Sequence, residues 1–272
     1  MPVDRVALLR RLDRFLDAVP RASATSLDVG PLRAFLSRVD WPYYARPRPE
    51  VDLATAGSVS ARDLASAAEA LVTHGSPVAF EWVAQVVPSM SDAATEYGLD
   101  VTLHPMLILD RLLEPPTPAG VTVRRLADDD PALAAARVVA ELAFAATSTG
   151  HVGPEQVRAL LEGRDPAADE HARRRIRQGR NVTMVAEHDG QVVGSGTHQP
   201  LEDVTEIVGV AVLPTYRRRG IGALLTAALT RDAGEGGADV VMLTAGSDCA
   251  ARVYEGIGFV RVGEAGEAVP PG

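Results

Sequence analysis

Residues 210–225, Val-Ala-Val-Leu-Pro-Thr-Tyr-Arg-Arg-Arg-Gly-Ile-Gly-Ala-Leu-Leu, constrain this chain more than any other stretch. An apolar run, a proline at Pro214, three arginines, Gly220-Ile221-Gly222 and a second apolar run read as strand, turn and helix start. The first amides of a helix have no partner within it and carry the positive end of its dipole, so they attract anions. Glycines there let the backbone approach a pyrophosphate without a β-carbon in the way. Arginines add forked, charge-assisted hydrogen bonds. Spacing then separates phosphate-binding classes. A P-loop requires Gly-Lys-Ser/Thr, and the chain has no lysine. A dinucleotide fingerprint requires a third glycine where Leu225 stands.

Arg217-x-x-Gly220-x-Gly222 resembles the R/Q-x-x-G-x-G/A signature of the GNAT superfamily of acyl-CoA-dependent N-acetyltransferases. Downstream, Ala250-Ala-Arg-Val-Tyr-Glu-Gly-Ile-Gly-Phe-Val260 is similar to that family's A-x-x-x-Y-x-x-x-G-F element. Upstream, Thr205-Glu-Ile-Val-Gly-Val-Ala-Val212 resembles its fourth strand. The three elements stand in the family's order within residues 120–265. The resemblance implies an α/β fold, a mixed central sheet flanked by helices, with acetyl-CoA as cosubstrate. The backbone of Val210, Ala211 and Val212 would pair with the pantetheine arm. Main-chain amides from Arg217 through Arg218, Arg219, Gly220 and Ile221 to Gly222 would hold the pyrophosphate. The implied reaction moves an acetyl (acyl) group to a primary amine of a small-molecule or peptide acceptor by direct attack.

Such a transfer needs a base for the ammonium, stabilisation of the carbonyl oxygen, and a proton for the departing thiolate. Glu206 matches the family's glutamate base, acting directly or through water; the plainer reading is a solvated strand residue. Tyr254 matches the family's acid, a phenol that remains protonated at neutral pH. Its plainer reading is a core aromatic whose hydroxyl bonds the backbone. Ser247, seven residues before Tyr254, stands where many members carry asparagine, so its contact with the cofactor has shorter reach. Cys249 has no histidine near it in sequence and reads as a small helix residue rather than a nucleophile. The segment Phe144–Pro154 would set acceptor specificity, and His151 within it reads equally as substrate contact or loop histidine. A CoA-binding regulatory or interaction protein with little catalysis is the alternative from another class.

A net charge of −9 argues against a nucleic-acid partner, which wants a basic face, and is compatible with a cationic acceptor. One cysteine excludes an internal disulfide and fits a reducing compartment. No secretory signal and no apolar run of about 20 residues is visible, so a soluble, cytoplasmic protein away from the membrane is the expectation. No metal-ligand spacing stands out, and no metal is expected.

Glu114-Pro-Pro-Thr-Pro-Ala-Gly120 is the clearest seam, because its prolines forbid helix and leave an extended linker. It divides a 1–115 N-terminal α/β region from a 120–265 acetyltransferase domain. The first region shows helical patterns over 5–19, 61–71 and 88–97, an apolar stretch from Pro77 to Trp82, and strands near Val101 and at Met106–Leu109. Its pattern resembles half of a degenerate GNAT fold. It offers no vote among lining the acceptor site, stabilising a sheet edge or mediating a homodimer. After the seam the pattern predicts strand 121–125, helix 132–146 behind an Asp-Pro start, a helix near Pro154 and a charged helix 167–178. The Arg173, Arg174, Arg175, Arg177 cluster on that helix reads as a solvated face. Strands 182–187 and 191–197 flank a His188-Asp-Gly190 hairpin. Strand 204–212, helix 220–233, strand 239–244, helix 248–257 and strand 259–263 follow.

Overall fold

The computed structural model describes residues 4–37, 43–51, 58–146 and 152–272. The chain forms two compact units. The first takes in Met1–Met106, Thr244–Asp248 and Arg261–Gly272; the second takes in Leu107–Leu243 and Cys249–Val260.

In the first unit, helix α1 (Arg5–Ala18) starts at Asp4, whose carboxylate accepts from the Val6 and Ala7 amides. This is the usual way to satisfy two of the orphan donors. Leu8, Leu9, Leu12 and Phe15 line its buried stripe. Strands β1 (Ala24–Val29) and β2 (Leu32–Ser37) form an antiparallel hairpin, followed by the short β3 (Ala45–Pro47). Helix α2 (Ala61–Thr73) leads to β4 (Phe80–Val83), and helix α3 (Ser89–Tyr97) ends at Gly98 before β5 (Asp100–Leu109). The separate strands expected near Val101 and Met106 are one strand, which continues through Pro105. The last strand, β11 (Phe259–Val269), runs past its expected end, and its residues 265–268 pair antiparallel with β4. The sheet order here is β1-β2-β3-β4-β11-β5. Phe80 and Trp82 on one face of β4 pack with Leu64, Leu71 and Met90 of the two helices. Buried arginines are ion-paired, Arg33 to Asp17 at 3.0 Å and Arg46 to Asp13 at 2.5 Å.

The second unit opens with β6 (Val121–Arg125) and helix α4 (Ala132–Ala145). The expected Asp-Pro start is present: the Asp130 carboxylate accepts from the Ala132 amide at 2.9 Å, with Pro131 between them. Helices α5 (Pro154–Leu161) and α6 (Glu170–Arg177) follow, a 3-10 turn preceding the second. The arginine cluster on α6 is not simply solvated. Arg173 and Arg177 both bond Asp128, while Arg175 is buried and donates to Asn181.

Strands β7 (Val182–His188), β8 (Gln191–Leu201) and β9 (Val204–Val212) form an antiparallel meander, its first turn made by Asp189-Gly190 as expected. Helix α7 (Ile221–Glu235) then crosses over to β10 (Val240–Thr244), which lies parallel to β9, and α8 (Asp248–Glu255) follows. The order in this unit is β10-β9-β8-β7-β6. One face is covered by α4, to which the Ser195 hydroxyl donates at the Ala136 carbonyl, 2.9 Å. The other face is covered by α7, whose Asp232 bonds the buried His198 at 3.0 Å. Both units are thus mixed sheets flanked by helices, the architecture the motifs imply.

Candidate active site

Two features of β9 open its far end. First, the register against β8 slips: Thr197 lies opposite Val208 but Ser195 lies opposite Ala211, so Gly209 and Val210 together face Gly196. This is a β-bulge, and Gly209 adopts φ 62°, which a glycine takes without strain. Second, pairing to β10 covers only Val204–Ile207, whereas pairing to β8 continues to Val212. One edge of Val208–Val212 therefore faces no strand among the described residues. Its peptide groups are available to an extended ligand.

The turn that follows has a geometry that could accept an anion. Pro214–Tyr216 form a single 3-10 turn, Arg218 takes φ 62° and Gly220 takes φ 85°. Gly220 is the N-cap of α7 and offers no side-chain cap. Among the described residues, the amides of Arg218, Arg219, Gly220, Ile221, Gly222 and Ala223 donate to no other main-chain group or side chain. Alternating left-handed residues that turn successive amides to one side, at the start of a 15-residue helix, make an anion cradle. A β-carbon at Gly222 would meet only Val212, at 3.9 Å, so packing alone does not demand glycine there.

The three arginines have different fates. Arg217 donates to the Val212 carbonyl at 3.2 Å and to the Ala143 carbonyl at 2.7 Å. Arg219 donates to the Thr215 carbonyl at 3.1 Å and lies 4.8 Å above the Tyr216 ring. The Arg218 guanidinium has no partner among the described residues, which leaves it free to meet a phosphate.

A cavity of about 240 Å³ joins these parts. The open edge Val210–Val212 lines one wall, with Gly222 and Arg217 beside it; Ala250, Val253 and Tyr254 of α8 line another, and Ala143 and Phe144 close α4's end. Tyr254 packs edge-on against Phe259, with centroids 6.4 Å apart. Its hydroxyl has no hydrogen-bond partner among the described residues, and burial raises its pKa above the ordinary phenol value. It is therefore a proton donor at neutral pH and not a phenolate.

The remaining described candidates are not among the residues that line this cavity. Glu206 is half-buried on β9, in register with Gln199 and Met242, and does not line it. Ser247 and Cys249 are exposed and do not line it either. His151 lies outside the described residues. Ala250, the first residue of the A-x-x-x-Y element, lines the wall; Ala143 and Val253 do so without any signature in the sequence, since apolar residues on helices read as ordinary core. Among the described residues no group of three His, Cys, Asp or Glu side chains could hold a metal.

An open strand edge, a helix start without a side-chain cap and a half-buried phenol thus meet around one cavity. The family follows from comparison: residues 154–259 match the model of the acetyltransferase (GNAT) family. A GCN5-related N-acetyltransferase from Kribbella flavida is similar over 97% of this chain and 96% of its own, with 26% identity and a TM-score of 0.72. Two solved structures share the fold at lower identity. A GCN5-related N-acetyltransferase from Sphaerobacter thermophilus is 17% identical over 90% of this chain and 83% of its own, TM-score 0.54. A tandem GNAT protein from the clavulanic acid biosynthesis pathway is 19% identical over 87% of this chain and 77% of its own, TM-score 0.56. No curated protein matches the chain. The C-terminal part of the chain is a GNAT domain, and the protein is an acyltransferase.

Proposed function

We propose that this protein transfers an acetyl group from acetyl-CoA to a primary amine of a small molecule or peptide. The observation that carries the reading is the shared cavity: the open edge of Val210–Val212, Gly222 at the end of the run of unclaimed amides, and Tyr254 all line it. In this reading the edge pairs with the pantetheine arm, and Arg218 with the cradle amides holds the diphosphate. Glu206, which does not line the cavity, takes the ammonium proton through water. The amine attacks the thioester carbonyl, and the Tyr254 hydroxyl supplies a proton to the leaving sulfur. Ser247 would orient the cofactor from its exposed turn. Among the described residues no helix is long and apolar enough to cross a membrane; a cytoplasmic location belongs to this reading.

We assign the transfer to residues 120–265 and regard 1–115 as a degenerate GNAT-like half. The start of α2 supports this, because it is closed. Ser60 and Asp63 cap each other, the Ser60 amide donating to the Asp63 carboxylate at 2.9 Å. A carboxylate thus sits where Gly220 leaves α7 open.

Acetyl-CoA should raise the melting temperature by mass action, and Gly220→Trp, which fills the cradle and strains φ 85°, should abolish the shift. Glu206→Gln and Tyr254→Phe should each bind acetyl-CoA normally while slowing release of free thiol with an amine panel by about 10²-fold. Absence of any acetyl-CoA affinity at millimolar concentration would overturn the reading.

A further inference from the structure

Resting on that reading, we infer that Arg217 is a positioning residue that holds the thioester channel in shape and not a ligand of the diphosphate. Its guanidinium is spent on two carbonyls, Val212 at the end of the open edge and Ala143 in the last turn of α4. That helix has no basic residue in its own last turn, so Arg217 supplies from a distant loop the cation that its negative end favours. Val212 and Ala143 both line the cavity, so these two bonds set the spacing between its walls. A neighbouring pair of bonds strengthens the arrangement: the amide and hydroxyl of Thr215 both donate to Val152, just ahead of α5. The turn from Pro214 to Arg217 is therefore bonded to the last turn of α4 and to Val152, just ahead of α5. What Arg217 supplies is donation to carbonyls. A neutral amide can do the same, whereas at a diphosphate it would forfeit the charge–charge attraction that a guanidinium adds to its hydrogen bonds.

Two probes separate the roles: acetyl-CoA, and S-acetyl-pantetheine, which carries the thioester arm without diphosphate or nucleotide. Arg217→Met should weaken both by the same factor, about tenfold, as expected for the loss of two hydrogen bonds that hold the cavity walls together. Arg217→Gln, an uncharged donor, should recover most of that loss for both probes. Arg218→Gln should weaken acetyl-CoA alone. In the ligand-free protein, amide exchange in the last turn of α4 should quicken in Arg217→Met and not in Arg217→Gln. The inference fails if Arg217→Met weakens acetyl-CoA while S-acetyl-pantetheine binds as before, or if the glutamine variant is no better than the methionine one. Unchanged exchange in Arg217→Met also overturns it. If Arg217→Met does not fold, the glutamine variant decides: equal, near-normal binding of both probes supports positioning, and selective loss of acetyl-CoA refutes it. Wild-type protein that binds neither probe would instead refute the proposed function.

Discussion

A β-carbon built on Gly258 would lie 1.8 Å from the Arg111 carbonyl oxygen, and the residue sits at φ 99°. The Asp110 amide donates to the Gly258 carbonyl at 3.0 Å, so the two backbones are tied at the point of closest approach. Neither side can retreat without breaking that bond. Gly258→Ala should therefore cost about 3 kcal/mol or more, measured by urea unfolding. The Gly-Phe pair in the sequence motif thus has a packing cause as well as a functional neighbour, because Phe259 carries the ring against which Tyr254 rests. Tyr254 was legible in the sequence through its spacing to this pair. The division of labour among Arg217, Arg218 and Arg219 was not, since identical side chains in a row differ only in which carbonyls and rings lie within reach.

Strand β9 shows what an element adds to its residues. Its apolar, β-branched run predicts a strand over 204–212, and the structure has one over those residues. Nothing in the run shows that Gly209 and Val210 bulge, or that β10 accompanies only half its length. Both depend on partners from other parts of the chain. Gly209→Val would place a β-branched side chain at φ 62°, a strain of about 1–3 kcal/mol. The bulge should relax and shift Val210–Val212 in register. Acetyl-CoA affinity should fall about tenfold or more in a protein that still folds, as calorimetry beside circular dichroism would show. Unchanged affinity would separate the bulge from the binding edge. The two crossover helices α2 and α7 make the complementary point: Ser60 and Gly220 are both good N-cap residues, yet the Ser60 hydroxyl accepts from the Asp63 amide while the glycine has no side chain to accept from its own third amide.

At the scale of the whole molecule, the last strand belongs partly to each compact unit, Phe259–Val260 to the second and residues from Arg261 onward to the first. In the first unit this return places Glu267 directly opposite Glu81. Burial, with the Glu267 charge beside it, pushes the Glu81 carboxyl up to about 7 against the partial relief of Arg46. Glu267 in turn bonds His104 at 3.2 Å. The folded unit therefore holds the Glu81 proton more tightly than the unfolded chain does. That stabilisation is complete below the ordinary carboxyl value of 4.5 and is lost as pH rises through about 7. The melting temperature should decline between about pH 5 and 8, and Glu81→Gln should flatten the decline. A Glu81→Gln curve with the wild-type slope would show that another group governs it.

Taken alone, the sequence determined the local chemistry of this protein: a strand-turn-helix with glycines at the helix start, a phenol spaced before Gly-Phe, and helices and strands with recognisable caps and turns. These follow from dihedral preference and periodicity, which neighbours within a few residues impose. The tertiary structure decided the rest. It left one edge of β9 unpaired, spent Arg217 on carbonyls 5 and 74 residues away while leaving Arg218 free, and carried the chain's end back to Phe80–Val83. Pairings at such separations depend on which distant groups the fold brings within hydrogen-bonding range, and no local pattern encodes that.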